Sequence, residues 1–299
     1  SSKKVKTFSI GFEDKRYNEA EHAKLVANHL GTDHHDMYVS SKDALNVLPL
    51  LPDMFDEPFA DSSQIPMYLV SKIAKTKVTV CLSGDGGDEL FGGYNRYLVA
   101  SKLWNKISKI SKPGKSVLAY LIKSLKPTVW DKISDLLYKN KYSNLGYKLH
   151  KGADSLRSKN IDDLYFNLIS NIKNPTEWLI NSEEYSNTNY NFDSKISGIE
   201  RMMIKDLVGY LPTDILTKVD RASMAVSLEV RTPFLDKEIV KFALTLPEEY
   251  KIKAEVGKSV LRDVLYKYVP RNMIERPKMG FGVPLAEWMR GELRDWCED

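Results

Sequence analysis

The protein has 299 residues, a formal net charge of +4, 28% charged residues and two cysteines. This length accommodates one large domain or two of ordinary size. No apolar run approaches the roughly 18 residues of a membrane span, and nothing at the start resembles a signal peptide. Two cysteines are too few for a disulfide framework. The sequence therefore argues against a membrane-spanning or disulfide-rich secreted protein and favours a cytoplasmic location.

The first hundred residues alternate between predicted strands and predicted helices. Strands are expected at 5–12, 37–39 and 78–82, the last as a buried strand. A helix over 20–30 is predicted from a capping box formed by Asn18 and Glu21, with Gly31 as its terminator. Alternation of this kind predicts an α/β protein with a parallel, doubly wound sheet.

Two polar clusters in this half have more than one interpretation. The acids and hydroxyls of 53–63 either line a pocket or satisfy a turn, and Ser62 or Ser63 is predicted to cap the following helix. His29, His34, His35 and Asp36 have the residue types of a metal site, but their spacing suits no helix face. A loop of polar caps is the favoured interpretation.

From residue 99 onward the strand patterns stop and amphipathic helices follow. We therefore predict a nucleotide-binding α/β core over 1–98 and a helical region over 99–299. In the second part, a charged helix over 199–210 is expected to break at 211–214, and a Gly/Pro loop is expected at 278–284.

The charge of the chain is concentrated in one segment. Residues 101–160 contain fourteen Lys or Arg against three Asp or Glu, giving +11, while the remainder is −7. This segment is either a solvated basic surface or a binding surface for RNA or an acidic partner. No aromatic residue is interleaved with Lys106, Lys109 and Lys112 in the manner of a base-stacking platform, so nucleic acid ranks below an enzymatic function.

The most informative stretch follows the third predicted strand. Gly84, Gly86 and Gly87 allow the backbone to approach a ligand closely, at the end of a strand where open α/β sheets bind their ligands. Asp85, Asp88 and Glu89 would repel a phosphate unless a divalent cation lay between them. Because Mg²⁺ is commonly held by one or two carboxylates together with phosphates, the stretch predicts a Mg²⁺-nucleotide site. The alternative is a glycine-rich turn with solvated acids.

Lys258 stands at the start of another predicted helix, 259–268. The helix dipole disfavours a positive charge at that end, so the lysine calls for a nearby anion. A phosphate would supply it, whereas a solvated surface lysine is the simpler interpretation.

The stretch 83–94, Ser-Gly-Asp-Gly-Gly-Asp-Glu-Leu-Phe-Gly-Gly-Tyr, resembles the SG(E/D)GxDExFGGY signature of one enzyme family. This is the synthetase domain of glutamine-dependent asparagine synthetases and their relatives. Further blocks resemble the family in the same order, at 7–12, 31–35, 63–69, 218–225, 229–236, 257–258 and 277–282. The resemblance is loose only over about 100–195.

The resemblance implies an adenine-nucleotide α-hydrolase-like (PP-loop) sheet followed by a helical region. It implies ATP and Mg²⁺ as cofactors and a carboxylate substrate, aspartate first, which becomes an acyl-adenylate and then an amide. Ammonia would come from a glutaminase domain outside this chain. A sugar or peptide carboxylate remains an alternative, because the segment 60–66 differs from the Thr-Ile-Arg version of many asparagine-making members.

By resemblance, four residues would hold the nucleotide. Ile10 would pack on the adenine, and Ser83 and Gly84 would contact the nucleotide through backbone and hydroxyl groups. Asp88 would hold the Mg²⁺ on the pyrophosphate.

The resemblance assigns the chemical step to other residues. Asp85 stands where the family has Glu or Asp acting in adenylate formation, and Tyr94 would lie beside the reacting acyl group. Lys258 would stabilise the transition state, and Asp206 ranks lower because relatives differ there.

The family's SGGxDS loop would precede the first strand, so we expect this chain to be a fragment that makes little or no amide. A tRNA-modifying PP-loop enzyme ranks third, because neither Cys81 nor Cys297 is placed to carry sulfur. The oligomeric state stays open, with a homodimer among the options.

Overall fold

A computed structural model describes residues 3–14, 18–138, 145–170, 172, 192–275 and 283–298. Most of the predicted loop at 278–284, residues 278–282, lies outside this range. Within it, no helix combines the length and apolar character needed to cross a membrane.

The strands form two small parallel sheets. β1 (Lys6–Phe12) pairs with β2 (Asp33–Val39), in a register that runs from Lys6 opposite Asp33 to Phe12 opposite Val39. β3 (Val80–Leu82) pairs in parallel with β4 (Glu229–Arg231). Because parallel strands need a long crossover, helices separate the strands along the chain. The α/β class and the parallel direction are thus confirmed, with helices in the majority.

The helices fall before, between and after the strands. Up to residue 138 they are α1 (Ala20–Leu30), α2 (Ser41–Val47), α3 (Leu51–Met54), α4 (Gln64–Lys75), α5 (Gly87–Phe91), α6 (Asn95–Ile107), α7 (Lys112–Ser124) and α8 (Pro127–Tyr138). Beyond it they are α9 (Leu145–Ser155), α10 (Ile161–Ile169), α11 (Gly198–Val208), α12 (Thr217–Met224), α13 (Lys237–Thr245), α14 (Glu248–Lys251), α15 (Ser259–Leu265), α16 (Arg271–Ile274), α17 (Leu285–Arg290) and α18 (Arg294–Glu298).

The chain divides into two compact units. The first comprises Ser1–Phe91 together with Asp206–Asp299, and the second comprises Gly92–Lys205. In the first unit, one core cluster joins β1, β2, α2 and α4 through residues such as Ile10, Val39 and Ile65. The division between a nucleotide-binding core and a helical region near residue 98 remains a prediction about function.

The prediction of a buried third strand is wrong for the described chain. Leu82 on β3 is 73% exposed and Val80 is 39% exposed, so nothing in the described part of the chain covers these side chains fully. The expectation that strands stop after residue 98 is also wrong. β4 is three residues long and polar at both ends, so it carries no hydrophobic periodicity from which it could be predicted.

Several predicted caps form differently from the expected pattern. Gly31 does end α1 in the left-handed conformation, with φ of 65°. The capping box does not form, because the Asn18 side chain accepts a hydrogen bond from the backbone N–H of Ala20. Ser63 precedes α4 without capping it, since its hydroxyl donates to Asp61 instead.

Two other local predictions are corrected by the structure. His34 and His35 lie within β2 rather than in a loop, and the ring nitrogens of His34 hydrogen-bond with the hydroxyls of Thr7 and Ser9. The segment 211–214 is helical, because α11 ends at Val208 and a separate π-helix, Leu211–Leu216, then leads directly into α12. Pro212 is tolerated because it lies in the first turn of the π-helix, where its missing N–H is not needed.

Candidate active site

The glycine-rich stretch forms a compact turn between β3 and α5. The N–H of Ser83 donates to the Arg231 carbonyl at 2.9 Å, which extends the pairing of β3 with β4 by one residue. The N–H of Gly87 then donates to the Gly84 carbonyl at 3.3 Å, and α5 begins at Gly87 as expected from Asp88 and Glu89. The predicted strand-to-helix junction is therefore confirmed.

Gly86 is required by the shape of this turn. Its φ of 84° lies in the left-handed region, and a Cβ there would collide with the Leu235 side chain. We expect Gly86→Ala to lower the free energy of unfolding by about 1–2 kcal/mol in a urea titration. Gly84→Ala is the matched control, because its Cβ would enter open space, and we expect a change within about 0.5 kcal/mol. Equal losses for both variants would contradict this account of the turn.

Ser83 and Asp85 are joined by a hydrogen bond inside the turn. The Ser83 hydroxyl donates to Oδ2 of Asp85 at 2.7 Å. The bond fixes the hydroxyl and the carboxylate relative to each other, so two of the sequence-predicted residues act as one polar group.

Asp88 and Lys258 form an ion pair across a long sequence separation. Nζ of Lys258 lies 3.0 Å from Oδ2 of Asp88, and both side chains are partly exposed. The backbone of Lys258 is also fixed, because its N–H donates to the Phe91 carbonyl at 2.9 Å and its φ is 59°. The anion expected near Lys258 is thus supplied in this structure by a carboxylate that is itself a predicted site residue.

A cavity of about 1110 Å³ adjoins the turn. Every residue from 5 to 10 on or beside β1 lines it, and so does every residue from 80 to 83. Because alternate residues of a strand point to opposite faces, lining by consecutive residues means that the cavity lies along the strand edges. Ile10 and Ser83, two predicted nucleotide contacts, line this same cavity.

The two other residues with predicted catalytic roles, Asp206 and Tyr94, have contacts of their own. Asp206 is almost fully buried near the end of α11. Tyr94 belongs to the second unit, where its ring packs against Tyr97 and beneath the guanidinium of Arg96, 4.1 Å from the ring centroid. Their predicted catalytic roles remain predictions.

The sequence did not reveal an ionic clamp between α12 and the loop at 53–63. Nζ of Lys218, whose side chain is only 9% exposed, lies 2.5 Å from Oδ2 of Asp61. One helical turn further, Arg221 pairs with Asp56 at 2.6 Å in an exposed position. A lysine inside the buried stripe of α12, next to Val219 and one turn before Ala222, was the available signal. The acids of this loop thus stabilise its contact with α12.

The carboxylate of Asp61 is acidified by its partners. Burial by itself raises the pKa of Asp61, but hydrogen bonds from Lys218 and Ser63 outweigh it, and the pKa lies below its ordinary value. Asp61 is therefore ionised when paired, which keeps the ammonium of Lys218 neutralised.

The donor set of the turn suits Mg²⁺ better than a metal bound by protein ligands alone. Within the described ranges, no three His, Cys, Asp or Glu side chains are grouped as a metal site. Asp88 is a partly exposed carboxylate beside the glycine turn, and one such group fits an ion that takes its other oxygen ligands from phosphates and water. Asp88 is thus the residue of this turn best suited to such an ion.

Parallel strands with crossover helices, and an acidic glycine turn at the carboxyl end of one strand, define an α/β protein with a candidate ligand site at a position typical of that class. Comparison with known proteins makes this more specific. The family model described as asparagine synthase matches residues 1–299. The chain therefore belongs to the asparagine synthase family.

Individual relatives agree with this assignment. Asparagine synthetase [glutamine-hydrolyzing] 1 of Bacillus subtilis is 33% identical over 302 residues, which cover 99% of this chain and 45% of the relative. A protein of Mycobacterium bovis whose name also refers to a glutamine-hydrolyzing asparagine synthetase is 32% identical over 308 residues, which cover 97% of this chain and 43% of that protein. The chain spans less than half the length of these relatives.

Proposed function

We propose that this chain is the synthetase part of a glutamine-hydrolysing asparagine synthetase, an ATP-dependent ligase that forms an amide. The observation that carries the proposal is the set of paired residues around one glycine turn. Ser83 is bonded to Asp85 at 2.7 Å, and Asp88 is paired with Lys258 at 3.0 Å. These groups suit a reaction in which charge moves onto and away from phosphates.

The fold proposal is that both small sheets belong to one PP-loop sheet. β1–β2 and β3–β4 are each parallel, and the cavity runs along the edges of β1 and β3 that have no partner strand among the described residues. A further parallel strand between those edges would pair with both and cover the exposed side chains of β3. Val80 and Leu82, both exposed, line the cavity in which that strand would lie, which supports this arrangement.

In the proposed reaction, the substrate carboxylate attacks the α-phosphate of ATP, giving an acyl-adenylate and pyrophosphate. Ammonia then displaces AMP. The adenylate is needed because hydroxide is a poor leaving group, whereas AMP leaves readily. Mg²⁺, when bound, would neutralise charge on the leaving pyrophosphate.

The residues of this chain have distinct parts in that reaction. Ile10 and Ser83 would contact the nucleotide from the cavity, and Asp88 would hold Mg²⁺. Lys258, fixed at its backbone by Phe91, would turn its ammonium from Asp88 toward the phosphates. A cation placed where charge develops on the phosphates contributes strongly to stabilising the transition state.

Aspartate is the proposed carboxylate, and glutamine is the proposed source of ammonia. Both follow from the names of the relatives, and both concern the whole protein, of which this chain would be one part.

The test is ATP–pyrophosphate exchange by the parent protein with a panel of carboxylic acids. We expect saturable, Mg²⁺-dependent exchange with aspartate. Exchange with only a sugar or peptide acid would replace the substrate but keep the reaction class. Failure of every acid, in a protein that folds and binds ATP, would refute the proposal.

A further inference from the structure

Helix α7 presents an apolar face to solvent. Val117, Tyr120 and Leu121 are 58%, 71% and 56% exposed, and Leu118 and Leu125 beside them are each 39% exposed. At about 100° per residue, positions 117, 118, 120 and 121 occupy one continuous side of the helix. The exposed residues therefore form a patch, which we call the α7 face, rather than scattered single side chains.

The opposite side of α7 is already packed. Ala119 is buried, and Ile122 packs against the same cluster, which includes Ile107 and Leu164. A surface helix ordinarily has one apolar side and one polar side, whereas a helix apolar all round is covered. The central turns of α7 are apolar on both sides, and the part of the chain that the structure describes leaves one of them accessible.

The ends of this helix are basic. Lys112 lies in its first turn and Lys126 lies two residues beyond its last residue, whereas Lys123 in the last turn is ion-paired with Asp154. A positive charge in the first turn interacts unfavourably with the helix dipole, so Lys112 does not stabilise α7. The α7 face thus lies between positive charges, within the segment 101–160 of charge +11. A surface of this sign would attract an anionic partner.

The choice of basic residue indicates the kind of partner. In 101–160, thirteen of the fourteen basic residues are Lys, whereas ten of the thirty elsewhere in the chain are Arg. Protein interfaces are enriched in Arg and depleted in Lys. Anionic membranes attract clustered lysines as simple charges, and tyrosine is favoured at headgroup depth.

We infer that the α7 face docks on the surface of an anionic lipid bilayer, without crossing it. Val117, Tyr120 and Leu121 would enter the boundary between headgroups and acyl chains, and Lys112 and Lys126 would contact the headgroups. This is the binding mode of interfacial amphipathic helices. It is independent of the proposed ligase reaction and would place the protein at a membrane surface.

The test is co-sedimentation with vesicles of phosphatidylcholine alone or with about 30% phosphatidylglycerol, an anionic lipid whose surface potential attracts lysine clusters. We expect binding to the anionic vesicles only, and weaker binding as salt is raised. Tyr120→Glu with Leu121→Glu should reduce the partition coefficient by about tenfold or more, because apolar area is lost and repulsion is gained. Circular dichroism would establish that the variant is folded.

A matched control lies in the other unit. Phe242 and Leu244 on α13 are also about half exposed. Changing both to Glu alters net charge and apolar area similarly, and we expect vesicle binding to be retained. The inference is overturned if anionic vesicles are not bound, if binding is equal on phosphatidylcholine, or if both double variants lose it alike. It is also overturned if the α7 variant instead dissociates a dimer or releases an acidic protein.

Discussion

Replacing Asp88 with asparagine is expected to reduce ATP–pyrophosphate exchange by the parent protein by roughly a hundredfold to a thousandfold. The substitution keeps the shape of the side chain but removes the charge that pairs with Lys258 at 3.0 Å. It also removes the proposed ligand of Mg²⁺. A higher Mg²⁺ concentration should recover part of the activity, which a purely structural role of Asp88 would not produce.

The control for this prediction is Asp53→Asn, which removes an exposed carboxylate on α3. We expect exchange to change by less than about twofold, as for a surface substitution away from the site. Folding should be retained in Asp88→Asn, because its pair with Lys258 is partly exposed and such pairs contribute about 1 kcal/mol or less. Unchanged exchange in Asp88→Asn would contradict the role assigned to the whole turn.

Lys258→Met tests the same pair from the other side. If both residues act together on the phosphates, the double variant should lose little more activity than either single variant, because groups acting as a unit are not additive. If the loss of activity in the double variant instead equalled the product of the two single losses, Asp88 and Lys258 would act separately.

Local features were predictable because they depend on a few neighbouring residues. Gly31 ends α1 since glycine tolerates the left-handed conformation, and α5 begins at Gly87 with two acids in its first turn. The parallel direction of the strands also followed from sequence, because strands that alternate with helices need crossovers.

The strand pairing was not predictable in the same way. β4 provides the partner of β3 from about 150 residues further along, and three polar-flanked residues carry no pattern. The exposure of Leu82 depends on what packs against its face of the sheet, and an apolar run does not contain that information. The sequence could therefore indicate a strand at 78–82, but neither its partner nor its burial.

The types of residue in the candidate site could be predicted from the sequence, but the pairs that these residues form could not. The helix-dipole argument required an anion near Lys258 and proposed a phosphate. The structure adds Asp88, 170 positions earlier, as the present partner. Likewise, the sequence leaves the role of the polar loop 53–63 open, and the structure shows Asp61 of this loop paired with Lys218.

Breaking the buried pair of Lys218 and Asp61 is expected to have the largest effect on stability. Lys218→Met should lower the free energy of unfolding by about 3 kcal/mol, because Asp61 would remain partly buried without its countercharge. Removing both charges, as in Lys218→Met with Asp61→Asn, should recover most of that loss. Urea unfolding of the three proteins measures both effects.

The exposed half of the clamp provides a matched control on the same helix and the same loop. Arg221→Met removes the partner of Asp56, and both side chains of that pair are well exposed to water. We expect a loss below about 1 kcal/mol, since solvent screens such pairs. An equal loss for Arg221→Met and Lys218→Met, or a double variant no better than Lys218→Met alone, would contradict the proposed importance of burial.

The pH dependence of the free energy of unfolding tests the same pair independently. Because the pKa of Asp61 is lowered in the folded protein, its ionised form adds stability above its unfolded pKa, near 3.8. That contribution is lost as pH falls through the folded pKa. In Lys218→Met, the hydrogen bonds from Ser63 remain but the contributions of Lys218 are lost, so burial is opposed less and the pKa of Asp61 should rise. Protonation of Asp61 would then relieve the unpaired charge. The difference in stability between the unmodified protein and Lys218→Met should therefore be largest at neutral pH and shrink below about pH 4. A difference that is independent of pH would mean that lost packing, not charge, destabilises the variant.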